Sequence, residues 1–144
     1  MTESPHRTLN PETLSPPWGF SHAVVPAPGR SVYLSGQTAH APDDSIVEDL
    51  VEQFDAAAAN VILAMEAAGT RPEHLVSMQI FVTNLDEYVA RAKEIGAAYR
   101  RHFGRHYGAT ALIEVKGLVG GAKVELMCVA VKPGDEETRG KGMP

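Results

Sequence analysis

Two glutamates interrupt apolar segments near the C-terminal end of the chain, where a charged side chain is unexpected. Glu125 stands within the apolar run at residues 124–131, and Glu114 closes the run that begins at residue 109. A carboxylate in such a segment costs free energy unless it is paired or hydrogen-bonded. Glu125 is therefore the candidate catalytic residue, a general acid or base able to orient a water molecule. The structural alternative is a carboxylate at a subunit seam that is bonded to backbone amides.

Polar residues in two strand-like segments are candidates for binding a substrate. Glu114 lies two positions from Leu112 and four from Thr110, so these three side chains share one face of a strand. In the segment YLSGQ, Ser35 can offer a hydrogen bond, and the glycine after it permits close backbone approach. An ordinary strand end, and an acid that is exposed or structurally paired, remain the alternatives.

The histidine and cysteine pattern predicts neither a metal site nor a reactive thiol. His102 and His106 have the i, i+4 spacing of a helical metal pair, but Gly104 lies between them, where a helix should stop. The single cysteine, Cys128, excludes an intrachain disulfide and is interpreted as a small core residue. The chain also lacks a phosphate loop and a dinucleotide fingerprint. We therefore expect no metal and no cofactor.

Hydrophobic periodicity predicts an α+β fold with the element order β-β-α-β-α-β-β. Apolar residues recur with helical spacing in two segments, about 44–69 and 86–103. Alternation at 75–82 predicts a strand, and the two apolar runs after residue 108 predict the last pair of strands. Both helices should pack on one face of the sheet. The last strand is apolar on both sides, so the second face should be buried against another subunit.

Length and charge indicate a single domain and disfavour polynucleotide partners. The 144 residues carry a net charge of −5, with no basic run. We expect a flexible N-terminal arm at residues 1–17, one domain at 18–132 and a flexible tail at 133–144. No apolar signal segment and no run long enough to span a membrane is present, which predicts a cytoplasmic protein.

An ordered series of segments resembles the RidA/YjgF family of reactive intermediate deaminases over roughly residues 19–131. The segments are GFSHAV, VYLSGQTAH with its SGQ, MQIFVTNLDEYV, ATALIEV and AKVELMCVAV. The resemblance implies a YjgF-like (chorismate-mutase-like) α+β subunit in a homotrimer with a barrel-like core and a cleft at each subunit boundary. It also implies hydrolysis of reactive enamines and imines to a keto acid and ammonia, without a metal or organic cofactor.

The site residues of the family carry over only in part. Glu125 matches the last-strand glutamate that helps to position water, and Ser35 matches the serine of SGQ. Phe20 falls where the family often has a tyrosine lining the cleft, so the ring is kept and the hydroxyl is lost. Thr110 stands where the family has the arginine that binds the substrate carboxylate. Arg105, or an arginine from a neighbouring subunit, is the available replacement for that clamp.

Two functional hypotheses are consistent with these residues. The first is a cofactor-independent hydrolytic deaminase of an enamine- or imine-type small metabolite in an inter-subunit cleft, with its substrate range shifted because Thr110 replaces the arginine. The second is a non-catalytic homotrimer that binds a small molecule or a partner protein. Cleavage of RNA, sometimes attached to this family, is disfavoured by the acidic charge. No membrane partner is expected.

Overall fold

The computed structural model describes residues 2–134, which form two sheets and three α-helices. The strands are β1 (Arg7–Leu9), β2 (Ala23–Val25), β3 (Gly29–Tyr33), β4 (Leu75–Val82), β5 (Ala109–Glu114) and β6 (Val124–Pro133). The helices are α1 (Leu50–Ala67), α2 (Leu85–Ala90) and α3 (Ala92–Phe103), with short 3₁₀ turns at Pro72–His74 and Val119–Gly121. The α+β class predicted from the sequence is confirmed.

The larger sheet has the strand order β3-β6-β4-β5, which differs from the order along the chain. Strands β3 and β4 both pair antiparallel with β6, whereas β4 and β5 are parallel. Parallel neighbours require a long crossover connection, and α2 and α3 supply it here. The smaller sheet contains only β1 and β2, which pair antiparallel.

Both predicted helical regions pack on one face of the larger sheet, as the apolar pattern indicates. Helix α1 begins where the Asp49 side chain accepts a hydrogen bond from the Glu52 amide. The second helical region is divided into α2 and α3 at Arg91, where the predicted helix was continuous. Core side chains of α1 and α3 meet those of β4 and β6 in one buried cluster, which includes Phe54 and Phe103.

The opposite face of the larger sheet, called the open face below, is not covered by any of the helices that the structure describes within residues 2–134. Its residues include Tyr33, Ile113 and Met127, which expose 79%, 39% and 39% of their surface. Phe81 lies between them and is half-buried. An apolar sheet face of this kind is typical of a surface that another molecule covers.

The N-terminal segment contains regular structure where the sequence predicts a flexible arm. Strand β1 pairs with β2, so the two predicted N-terminal strands, β2 and β3, belong to different sheets. The His6 ring fastens this segment, because it accepts a hydrogen bond from the Ala27 amide and bonds the His74 carbonyl. His6 is consequently only 8% exposed. Of the predicted C-terminal tail, residues 135–144 lie outside the described residues.

No helix within residues 2–134 is both long enough and apolar enough to cross a membrane.

Candidate functional site

Glu125 lies on β6 and projects from the open face. It stands directly opposite Phe81 of β4 in the antiparallel register. Its side chain is half-buried, and its carboxylate has no hydrogen-bond or ion-pair partner among residues 2–134. No backbone amide of residues 2–134 bonds this carboxylate, so the seam carboxylate considered as the structural alternative would need amides of a second copy. The carboxylate is left available to a ligand or to a second copy of the protein.

Gly36 forms the wall next to this carboxylate. A β-carbon at position 36 would lie 2.4 Å from Oε2 of Glu125 and 2.8 Å from its carboxyl carbon. Glycine is therefore needed here for close packing, since any larger side chain would displace the carboxylate. Ser35, the preceding residue, is exposed, and its carbonyl accepts a weak hydrogen bond of 3.4 Å from the Gln37 amide group.

We expect Gly36→Ala to move the Glu125 carboxylate while leaving the fold intact. The contact is made with the end of a flexible side chain, so a rotamer change relieves it at a cost of about 1 kcal/mol. Any activity that depends on Glu125 should therefore fall, with little change in thermal midpoint. Gly117→Ala is the matched control, because a β-carbon there would meet nothing within 4 Å. Equal activity of the two variants would contradict the assigned role of Gly36.

Thr110 faces the other side of the sheet from Glu125. In the parallel register Thr110 pairs with Met78, which is 1% exposed and belongs to the core beneath the helices. Met78 and Phe81 are an odd number of residues apart on β4, so their side chains point to opposite faces. Thr110 is half-buried, and its hydroxyl donates to the Gly108 carbonyl at 2.8 Å. Within one chain, Thr110 and Glu125 cannot contact the same small molecule.

A small pocket on the helix side of the sheet opens beside Thr110. We call it the apolar pocket; its volume is about 180 Å³. In the described part of the chain its lining contains no charged side chain. Burial raises the pKa of Tyr88, one of its walls, to about 12, so that hydroxyl stays protonated at neutral pH. Its lining includes Trp18, Phe54, Tyr88, Ile95, Tyr99 and Thr110.

Phe20 and Thr110 are brought together in a second cleft, of about 310 Å³, at the edge of β5. The segment around Phe20 is held there because the Ser21 amide donates to the Gly108 carbonyl at 3.0 Å. The Ser21 hydroxyl also donates to the Tyr107 carbonyl at 2.7 Å. This edge cleft therefore brings together two of the candidate binding residues predicted from the sequence, Phe20 and Thr110.

Arg105 and Glu114 occupy other positions. Arg105 lines a separate pocket of about 350 Å³ with Phe20 and the N-terminal segment, and Thr110 is not part of that lining. The Glu114 carboxylate accepts a hydrogen bond of 3.0 Å from the Leu85 amide at the start of α2. That carboxylate therefore caps a helix in this structure, which is the structural alternative considered above.

Three lining residues of the apolar pocket are not predicted from the sequence to belong to a site: Trp18, Tyr88 and Gly96. Tyr88 belongs to the periodic apolar stripe of the second helical region, so the pattern assigned it to the core. Trp18 fell at the boundary of the predicted arm. A tryptophan beside Gly19 in a polar, proline-rich segment is the one signal that was available for it.

The histidine and cysteine side chains show other local roles. His102 Nε2 pairs with the Asp55 carboxylate at 2.8 Å on the surface between α1 and α3. Burial raises the pKa of Cys128 to about 12, so its thiol is protonated at neutral pH and unreactive. Within residues 2–134, no group of three or more His, Cys, Asp or Glu side chains could hold a metal ion.

The backbone matches known structures over most of its length. It superposes on a Rid-family protein of unknown function, YyfB from Yersinia pestis, with a TM-score of 0.78 and 30% identity, covering 88% of this chain and 98% of that one. The family model described as Endoribonuclease L-PSP matches residues 11–132. The chain belongs to the RidA/YjgF family. Members of this family are typically oligomeric and bind small molecules.

Other RidA/YjgF relatives include both named enzymes and proteins without a stated reaction. The chain is 31% identical to Protein DfrA of Myxococcus xanthus over 128 residues, which covers 88% of this chain and 92% of that protein. It is 29% identical to the 2-iminobutanoate/2-iminopropanoate deaminase of Salmonella typhimurium over 108 residues, covering 72% and 81%. The YjgF structure from E. coli aligns with a TM-score of 0.63 at 27% identity, covering 72% and 82%.

Proposed function

We propose that this protein is a cofactor-independent hydrolase of an uncharged enamine or imine. Its site is formed between copies of the chain, with Thr110 from one copy and Glu125 from the next. The observation that carries the proposal is a half-buried carboxylate, without a partner among residues 2–134, on an apolar sheet face opposite to the face of Thr110. A second copy is needed to bring the two residues to one ligand.

The open face supports an assembly of this kind. Tyr33, Ile113 and Met127 add exposed apolar surface to the sheet face that carries Glu125, and a second copy would bury this surface. Burial at such a seam also removes bulk water from the carboxylate, which strengthens its interactions with a ligand. A homotrimer, the assembly implied by the family resemblance, is the arrangement that we propose.

The chemistry asked of Glu125 is proton transfer. Water adds to the carbon of the C=N bond, Glu125 accepts the proton that this water loses, and the imine nitrogen takes up one proton from solvent. The resulting carbinolamine collapses to a carbonyl when its C–N bond breaks. In that step Glu125 gives its proton to the departing nitrogen, accepts the proton of the carbinol hydroxyl and returns it to solvent, so that one imine and one water give one carbonyl compound and one ammonia. An enamine enters the same sequence after protonation at carbon.

Thr110 shifts the preferred substrate away from carboxylates. An arginine offers a permanent charge and a bidentate fork, whereas threonine offers one hydroxyl. Loss of a charge-assisted pair in a shielded site costs about 2–5 kcal/mol of binding. The net charge of −5 adds long-range repulsion of anions. The alternative function, a binding module without catalysis, is favoured by the same substitution, because threonine cannot replace the clamp.

We expect Thr110→Arg to change substrate choice. The wild-type protein should accelerate ammonia release from a small neutral imine and act weakly on 2-iminobutanoate generated in situ by an amino-acid oxidase. The arginine variant should gain at least about tenfold on 2-iminobutanoate, since it restores a charged partner for the carboxylate. Ammonia release above the uncatalysed rate is the measurement.

Thr110→Val is the matched control, because it keeps the shape of the side chain and adds no charge. It should not gain activity on 2-iminobutanoate. A wild-type protein that already hydrolyses 2-iminobutanoate efficiently would refute the uncharged-substrate proposal. A protein that turns over neither substrate, while a neutral imine raises its thermal midpoint, would favour the binding module.

A further inference from the structure

We propose that the apolar pocket beside Thr110 binds a ring-sized, uncharged apolar group of the ligand. This inference rests on the proposed function, because it names the kind of substituent that the ligand of that site carries. The pocket and the edge cleft share Thr110 as a common wall. A ligand can therefore place a polar, reacting part in the cleft beside Phe20 and an apolar part behind Thr110.

The size of the pocket fits this assignment. Its volume is about 180 Å³. An engineered protein cavity of about 150 Å³ with apolar walls stays dry and binds benzene. The apolar pocket can thus hold one six-membered ring with a small linker.

The chemistry of the walls also excludes a charged group. In the described chain the lining supplies aromatic and aliphatic surface and three hydroxyls, those of Tyr88, Tyr99 and Thr110. The Tyr99 hydroxyl donates to the His106 carbonyl. The Thr110 hydroxyl already donates to the Gly108 carbonyl. Tyr88 makes no hydrogen bond through its hydroxyl within residues 2–134, so it can donate one to the ligand. A carboxylate in this pocket would lose its hydration without gaining a cation.

Trp18 provides an independent observation at the same place. Its indole lines the pocket but remains 85% exposed, while the neighbouring aromatic walls Phe54 and Tyr99 are buried. A large aromatic side chain that is exposed at the rim of an apolar pocket gains contact area when a ring enters. Trp18 is therefore the wall that a bound ring would cover.

The test uses Trp18 as its own reporter, because it is the single tryptophan of the chain. Titration of the whole protein with benzyl alcohol, as the probe, should shift Trp18 emission to the blue with saturation. Gly96→Leu should weaken this binding about tenfold or more, because the new side chain fills volume that the ring needs. The β-carbon of a residue at position 96 would meet only the Arg100 guanidinium, at 3.3 Å, which is the end of a flexible side chain and can move.

Lys93→Leu is the matched control, since it adds the same side chain on α3 at an exposed position outside the pocket. It should bind benzyl alcohol as the wild type does. Ala92→Leu, also on the pocket wall, replaces Gly96→Leu if that variant does not fold. The inference is overturned if wild-type emission does not shift with saturation, or if filling the pocket leaves the affinity unchanged.

The outcomes separate this inference from the proposed function. Benzyl alcohol binding that is lost in Gly96→Leu supports the pocket even if no imine is hydrolysed, in which case the proposed hydrolase alone fails. Hydrolysis of a neutral imine that depends on Glu125, without any binding of benzyl alcohol, overturns the pocket and leaves the hydrolase standing.

Discussion

Replacement of Glu125 by glutamine should lower imine hydrolysis by about 100-fold or more, since general acid–base groups contribute about 10²–10⁴-fold. Glutamine has the shape of glutamate but can neither accept the proton from water nor return it to the departing nitrogen. The carboxylate has no partner among residues 2–134, so its removal leaves no orphaned cation in the described chain. The loss should therefore appear in kcat, with the fold and KM little changed.

Glu52→Gln is the charge-matched control for this experiment. Glu52 is exposed in the first turn of α1, on the helix side of the sheet, and lines none of the clefts described above. Its variant should retain the wild-type rate of ammonia release. If Glu125→Gln and Glu52→Gln hydrolyse a neutral imine at the same rate, Glu125 is not the acid–base group and the proposed mechanism is wrong.

Truncation of Phe103 to alanine should destabilise the protein by about 3–5 kcal/mol, the range typical of a fully buried phenylalanine. Phe103 is 0% exposed at the end of α3, and its ring centroid lies 4.7 Å from that of Tyr99. Removal of the ring leaves a cavity between α3 and the sheet that backbone elements cannot fill. Denaturant unfolding at one fixed protein concentration measures the loss.

Leu63→Ala provides the comparison on a neighbouring helix. Leu63 is 64% exposed on α1, so its truncation should change the free energy of unfolding by less than about 0.5 kcal/mol. If the two truncations cost the same, the core described for α1, α3 and the sheet is wrong. If Phe103→Ala is unfolded even without denaturant, Phe103→Leu should give a smaller decrease in the free energy of unfolding that can be measured.

The helices and most of the strands of this fold can be predicted from the sequence, because hydrophobic residues recur in each with the period of a helix or a strand. The alternation in β4 correctly separates Met78 from Phe81, and the helical spacing in α1 correctly buries Phe54. The same reasoning identifies Glu125 as an unusual residue in an apolar strand. These features depend on neighbours within a few positions, and the sequence displays such neighbours directly.

The pairing of strands that are distant along the chain cannot be predicted from the sequence in the same way. Whether Thr110 and Glu125 share a face depends on which residues of β4 each one opposes, and no local pattern specifies that register. The approach of Gly36 to Glu125 is likewise long-range, and so is the placement of Trp18 and Gly96 in the lining of one pocket. The N-terminal strand β1 escaped prediction because it is short and is fastened by a single buried histidine, His6.

Because Thr110 and Glu125 lie on opposite faces, the number of complete sites should depend on the concentration of the protein. On the proposed arrangement, a lone chain holds two halves of a reacting centre that can never meet, however well it is folded. The number of working centres then obeys mass action in the protein itself. Dilution would then abolish the activity by separating the copies, without unfolding the chains. The expression level of the protein would set its activity per chain.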